Sequence, residues 1–94
     1  MARIIWTRAA LARVNEIRAY IQQFDPRAAT RMAARLLAAG DSLKDFPRRG
    51  RSIGGDLREL PSIRPYIIKY EVIDETVYIL DIRHSAQASE PPAS

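Results

Sequence analysis

The 94 residues are enough for one domain with a single hydrophobic core and leave little material for a deep active-site pocket. There are 15 Lys+Arg against 11 Asp+Glu, a formal charge of +4, and arginine dominates because lysine occurs only at Lys44 and Lys69; this balance suits nucleic acid or an acidic protein partner equally well. Without a single cysteine the chain has no disulfide, thiolate metal site or cysteine nucleophile. With no apolar run of membrane-spanning length and no signal-like start, the expected setting is cytoplasmic, away from membranes.

In chain order, Ala2 to Trp6 reads as a short strand, with Ile4, Ile5 and Trp6 supplying β-branched and aromatic content. Thr7 then offers a helix N-cap. From Arg8 to about Phe24, Ala10, Leu11, Val14, Ile17, Ile21 and Phe24 recur at intervals of three and four, which predicts one amphipathic helix. Asp25-Pro26 opens a second helix, since aspartate accepts hydrogen bonds from free amides and proline fits the first helical turn. Its apolar spacing continues through Leu43 towards Phe46, with Gly40 as a weak point and Pro47 as the stop. The alanine-rich second helix is expected to lie close against the first in an antiparallel hairpin.

Pro47 to Asp56 holds three of the four glycines together with Arg48, Arg49 and Arg51, and reads as a mobile, basic, exposed loop. Leu57 to Leu60 fits an edge strand, Pro61 to Pro65 a turn, and Tyr66 to Ile73 the longest strand. Asp74-Glu75-Thr76 makes a tight turn before a last strand from Val77 to about His84. The fold class is α+β: an N-terminal strand, an antiparallel helix hairpin, then a three-strand antiparallel meander packed against the helices. Residues 1–86 form the domain and 87–94 a flexible polar tail.

The ordered pieces resemble the RelE/ParE superfamily of toxins from type II toxin–antitoxin modules. They are Trp6-Thr7, Tyr20-Ile21, Asp25-Pro26 with Ala28-Ala29, and Leu43 with Phe46-Pro47 and Gly50-Arg51. Arg58-Glu59-Leu60, Tyr66 with Ile68 and Tyr70, and Ile79-Leu80 with Ile82 and His84 complete the set. The Arg-Glu-Leu strand and the closing histidine are more similar to the ParE branch. That resemblance implies an inhibitor of DNA gyrase neutralised by a ParD-like antitoxin in a hetero-oligomer, with no cofactor and no catalysis of its own. The RelE branch implies ribosome-dependent cleavage of messenger RNA, and a third reading is a non-toxic antitoxin-binding relative.

A metal-independent ribonuclease needs a base, cations and an acid around one phosphate. Here Glu59 is the candidate base, Arg58, Lys69 and Arg83 the clamp, and His84 or Tyr70 the acid. RelE-like nucleases tend to carry a lysine-rich segment before the second strand or a tyrosine shortly after the last one. This chain has arginines and Ser85-Ala86-Gln87-Ala88 at those places. The candidate partner-binding set is Arg48, Arg49, Arg51, Arg58, Lys69, Tyr70 and Arg83. The simplest alternatives are a strand-end role for His84, solvated or bridging strand charges for Arg58 and Glu59, core tyrosines with wet hydroxyls, and turn solvation for Glu71, Asp74 and Glu75. The lone histidine and absent cysteine argue against a metal site.

Overall fold

A computed structural model describes residues 1–85. Two helices pack on one face of a five-stranded mixed sheet. The elements are β1 (Arg3–Trp6), α1 (Arg8–Gln22), α2 (Pro26–Asp41), a short 3-10 turn (Ser42–Lys44), β2 (Arg51–Gly54), β3 (Leu57–Ile63), β4 (Tyr66–Ile73) and β5 (Thr76–His84). The sheet order is β1-β5-β4-β3-β2, with β1 parallel to β5 and the other pairs antiparallel.

Both helix starts follow from their caps. The Thr7 hydroxyl accepts from the Ala10 amide at 3.2 Å and donates to the Ile79 carbonyl at 2.6 Å, so one side chain caps α1 and ties it to β5. The Asp25 carboxylate accepts from the Arg27 and Ala28 amides at 3.1 and 3.2 Å, directly ahead of Pro26. Only three residues separate the helices. The second helix stops at Asp41, short of the expected run towards Phe46, and the 3-10 turn carries Leu43 into the core.

The core lies between the hairpin and the sheet. Ala10, Val14 and Ile17 of α1 and Leu36 and Ala39 of α2 meet Ile68, Tyr70 and Val72 of β4 and Val77, Ile79 and Ile82 of β5. Alternation along β4 dictates which side chains point inward. In β5 the inward set skips from Ile79 to Ile82, because the pairing Lys69↔Asp81 then Tyr70↔Ile79 leaves Leu80 as an extra residue. Asp81, next to this bulge, accepts from Arg13 Nε at 3.1 Å and so links β5 to α1 across the surface. That hydrogen bond, with the charges of Asp81 and Glu16, raises the Arg13 pKa.

Two expectations about the chain's middle need correction. The segment from Pro47 to Asp56 is exposed and basic, but it contains β2, hydrogen-bonded to β3 through Arg51↔Glu59 and Ser52↔Arg58. Its hairpin turn uses Gly54 and Gly55 at positive φ of 123° and 54°. In consequence Leu57–Leu60 is no edge strand: β3 is interior, and it runs on through Pro61 to Ile63 across an irregularity in its pairing with β4. The meander therefore has four strands, and the sheet edges are β1 and β2. Ser85 still donates to the Pro65 carbonyl at 2.7 Å, and the tail assigned to 87–94 lies outside the described residues. No helix among the described residues is long and apolar enough to cross a membrane.

Candidate functional site

On the face of the sheet that carries no helix among the described residues, β2, β3, β4 and β5 bring charges into one cluster. The pairings Arg51↔Glu59 and Glu59↔Lys69 put these three side chains in one row, and Arg83 stands opposite Ile67, two residues along β4 from Lys69. Glu59 is only 2% exposed, although it sits on this open face. Its Oε1 pairs with Arg51 Nη2 at 3.1 Å and its Oε2 pairs with Arg83 Nη2. A carboxylate removed from water needs such partners on both oxygens. Arg51 keeps most of its side chain in solvent and Arg83 about a third, so the cluster presents cations around a buried anion.

The other predicted residues point elsewhere. Arg58 pairs in register with Tyr70 and shares the helix-facing side of β3 with Leu60. Its guanidinium donates to the carbonyls of Gly50 at 2.7 Å and Arg48 at 3.2 Å. Tyr70 is completely buried, and its hydroxyl accepts from the Gly50 amide at 2.9 Å. Burial raises the Tyr70 pKa, offset in part by that hydrogen bond and by Arg58 and Arg49. Tyr70 is therefore the core tyrosine of the simpler reading, with its hydroxyl bonded to a backbone amide, and its burial removes it from the partner-facing set and from the role of catalytic acid. Arg58 and Tyr70 together fasten the backbone at Arg48–Gly50, which leaves the Arg48 and Arg49 side chains exposed on an anchored segment.

His84 stands opposite Tyr66, their rings edge to face with centroids 5.6 Å apart. They border an open cleft of about 330 Å³ between the end of the sheet and α1, also lined by Arg13, Glu16, Ile17 and Tyr20. Burial, then the neighbouring Tyr20, raises the Tyr66 pKa. Arg13, which also lines this cleft, is already engaged by Glu16 at 2.9 Å and by Asp81.

The predicted nuclease constellation is thus split. Glu59 and Arg83 meet on the open face, whereas Arg58 and His84 point to the helix side at different places. Successive strand residues face opposite ways, so Arg83 and His84 cannot serve one phosphate from the same side. Glu59, expected as a solvated strand charge or a base, is instead a buried structural anion. The sequence did not reveal the cleft at Tyr20 and Tyr66: the two-residue turn at Asp74-Glu75 by itself sets Tyr66 opposite Arg83, and only the extra residue Leu80 brings His84 to that place.

The chain is thus a small α+β domain with a charged cluster on its open sheet face, and comparison with known proteins makes the class specific. The family described as "ParE toxin of type II toxin-antitoxin system, parDE" matches residues 4–89. The chain belongs to this family of toxins. It is 52% identical over 87 residues to "Toxin RelE2" of Caulobacter vibrioides, covering 93% of this chain and 99% of the relative. It is also 42% identical over 89 residues to "Putative toxin Y4kP" of Sinorhizobium fredii, covering 90% of each. A solved chain described as "Chromosomal ParDE TA system from P. aeruginosa" superposes with a TM-score of 0.78 at 22% identity, over 89% of this chain and 96% of that one. This last likeness establishes the shared fold.

Proposed function

We propose that this toxin inhibits DNA gyrase by binding it, without covalent chemistry of its own, and is held inactive in the cytoplasm by a ParD-like antitoxin in a hetero-oligomer. The observation that carries this reading is the separation of acid–base groups: the one carboxylate buried among the described residues, Glu59, is committed to two arginines, and the one histidine lies on the opposite side of the sheet. Such an arrangement binds anions and shapes a protein surface, but it does not assemble a base, a clamp and an acid around a single phosphate. The candidate partner-facing cations are Arg48, Arg49, Arg51, Lys69 and Arg83, with Arg58 holding the segment that bears the first two.

The name RelE2 borne by the 52% identical relative supports a second reading, ribosome-dependent cleavage of messenger RNA. It requires Glu59, Arg58, Arg83 and His84 to act together, and hence a substantial rearrangement of the interior strands β3 and β5 on the ribosome. A non-toxic, antitoxin-binding relative is the third.

Regulated expression tests toxicity directly. Induction of the chain is expected to arrest growth, and co-expression of its antitoxin to restore it. In arrested cells, the gyrase reading predicts DNA breaks with messenger RNA intact. Unimpaired growth at high levels of folded protein contradicts both toxic readings, and early, widespread messenger RNA cleavage that is lost in Arg83→Ala and His84→Ala while both variants remain folded contradicts the gyrase reading.

A further inference from the structure

The sheet is not the only cationic surface. Six arginines but only three carboxylates lie between residues 8 and 41, so the helix layer holds most of the chain's excess positive charge. On α2, Arg27, Arg31 and Arg35 are all exposed and follow one another at four-residue intervals, opposite the face that buries Ala29, Leu36 and Gly40. This spacing aligns them in one stripe, advancing about 6 Å per step along the axis.

Nothing among the described residues neutralises the stripe. The two carboxylates at the ends of α2 are engaged elsewhere: Asp25 caps the helix amides, and Asp41 accepts from Trp6 Nε1 at 3.1 Å. None of the three arginines forms an ion pair among the described residues. The arrangement also works against the helix, since like charges at i and i+4 repel and Arg27 places a cation in the first turn, at the positive end of the helix dipole. The first turn contains no acidic residue to offset it. Local stability therefore does not account for these residues, whereas an external polyanion does.

We infer that the outer face of α2 is a binding strip for the phosphate backbone of duplex DNA, with Arg27, Arg31 and Arg35 each placed on a phosphate. Ala34 and Ala38, both exposed, are interleaved with the arginines and let a backbone approach closely. The stripe has no aromatic residue on which unpaired bases could stack, as recognition of single-stranded DNA or RNA commonly uses. It also has no large apolar anchor of the kind that carries a protein–protein hot spot. Duplex phosphates need neither. The strip is independent of which target the toxin acts on, and it would hold the toxin on DNA without reading sequence.

The test uses the full-length, antitoxin-free chain and a fluorescein-labelled 24-base-pair duplex, with anisotropy followed from low to physiological salt. Wild type is expected to bind with a steep salt dependence. The variant Arg27→Gln/Arg31→Gln/Arg35→Gln should bind at least about 30-fold more weakly at low salt and flatten the log K against log salt slope by about 2–3. Its thermal midpoint should be unchanged or higher, which separates lost binding from lost folding. The charge-matched control Arg3→Gln/Lys44→Gln/Arg64→Gln should lose far less. Equal loss in both triples would reduce the effect to net charge and overturn the assignment, as would wild-type binding by the stripe variant. If the stripe variant keeps the duplex but loses poly-L-glutamate, the strip takes an acidic protein segment and the DNA assignment falls.

Discussion

Replacing Arg83 with alanine is expected to destabilise the protein by roughly 3 kcal/mol, the lower end of what removing one partner of a buried ion pair costs. The reason lies in Glu59, whose carboxylate is buried on an open sheet face with Arg83 on one oxygen and Arg51 on the other. Without Arg83, Oε2 loses its partner while remaining out of water, and the remaining Arg51 pair keeps the cost from reaching the upper end. Thermal unfolding measures this as a fall in Tm of roughly 15 °C for a domain of this size. The double variant Glu59→Ala/Arg83→Ala should recover part of the loss, because the orphaned charge goes with it. An Arg83→Ala protein that melts within a degree or two of wild type contradicts the structural role given to Glu59.

At Gly40 the expected result runs opposite to helix propensity. Alanine in a helix interior is favoured over glycine by about 1 kcal/mol, yet Gly40→Ala should destabilise by about 2 kcal/mol, as over-packing of a filled core does. A Cβ built there lies 2.6 Å from Ile79 Cδ1 and 2.8 Å from Trp6 Cη2. Ile79 is completely buried, and Trp6 is held by its hydrogen bond to Asp41, so neither gives way cheaply. Gly40→Val should fail to accumulate as folded protein. In urea unfolding, combining Gly40→Ala with Trp6→Leu should cost less than the sum of the two single changes, since the smaller side chain vacates the space. A Gly40→Ala protein as stable as wild type, or more stable, contradicts this packing.

The comparison of sequence with structure turns on which signals are local. Thr7 and Asp25-Pro26 mark helix starts through bonds made within three residues, and the inward alternation of Ile68, Tyr70 and Val72 is a property of β4 alone. Those features were legible. Strand β2 was not, because Arg51–Gly54 is exposed throughout and its only structural signal is hydrogen bonding to β3, a partner that periodicity cannot reveal. Gly40 reads as a helix weakness in sequence and proves to be the point where α2 touches Trp6.

The site was half legible for a similar reason. Strand alternation puts Arg58 and Glu59 on opposite faces, but a strand charge ordinarily faces solvent. Only the register Arg51↔Glu59 and the arrival of Arg83 from β5 bury it. Tyr70 lost its place among partner-facing residues because the Gly50 amide, twenty residues earlier, reaches its hydroxyl. The spacing of Arg27, Arg31 and Arg35 was present in the sequence throughout; what sequence could not supply was the absence of neutralising partners among the described residues.

The gyrase reading holds that this toxin acts by binding that enzyme and not by cleaving RNA. Its most direct test is a supercoiling and DNA-cleavage assay of purified gyrase with the antitoxin-free chain, with a parallel sample saturated with antitoxin. The prediction is that supercoiling falls and cleaved complexes accumulate with the free chain and return to baseline with antitoxin. Gyrase left untouched by folded, antitoxin-free protein contradicts the claim and moves the weight to ribosome-dependent RNA cleavage.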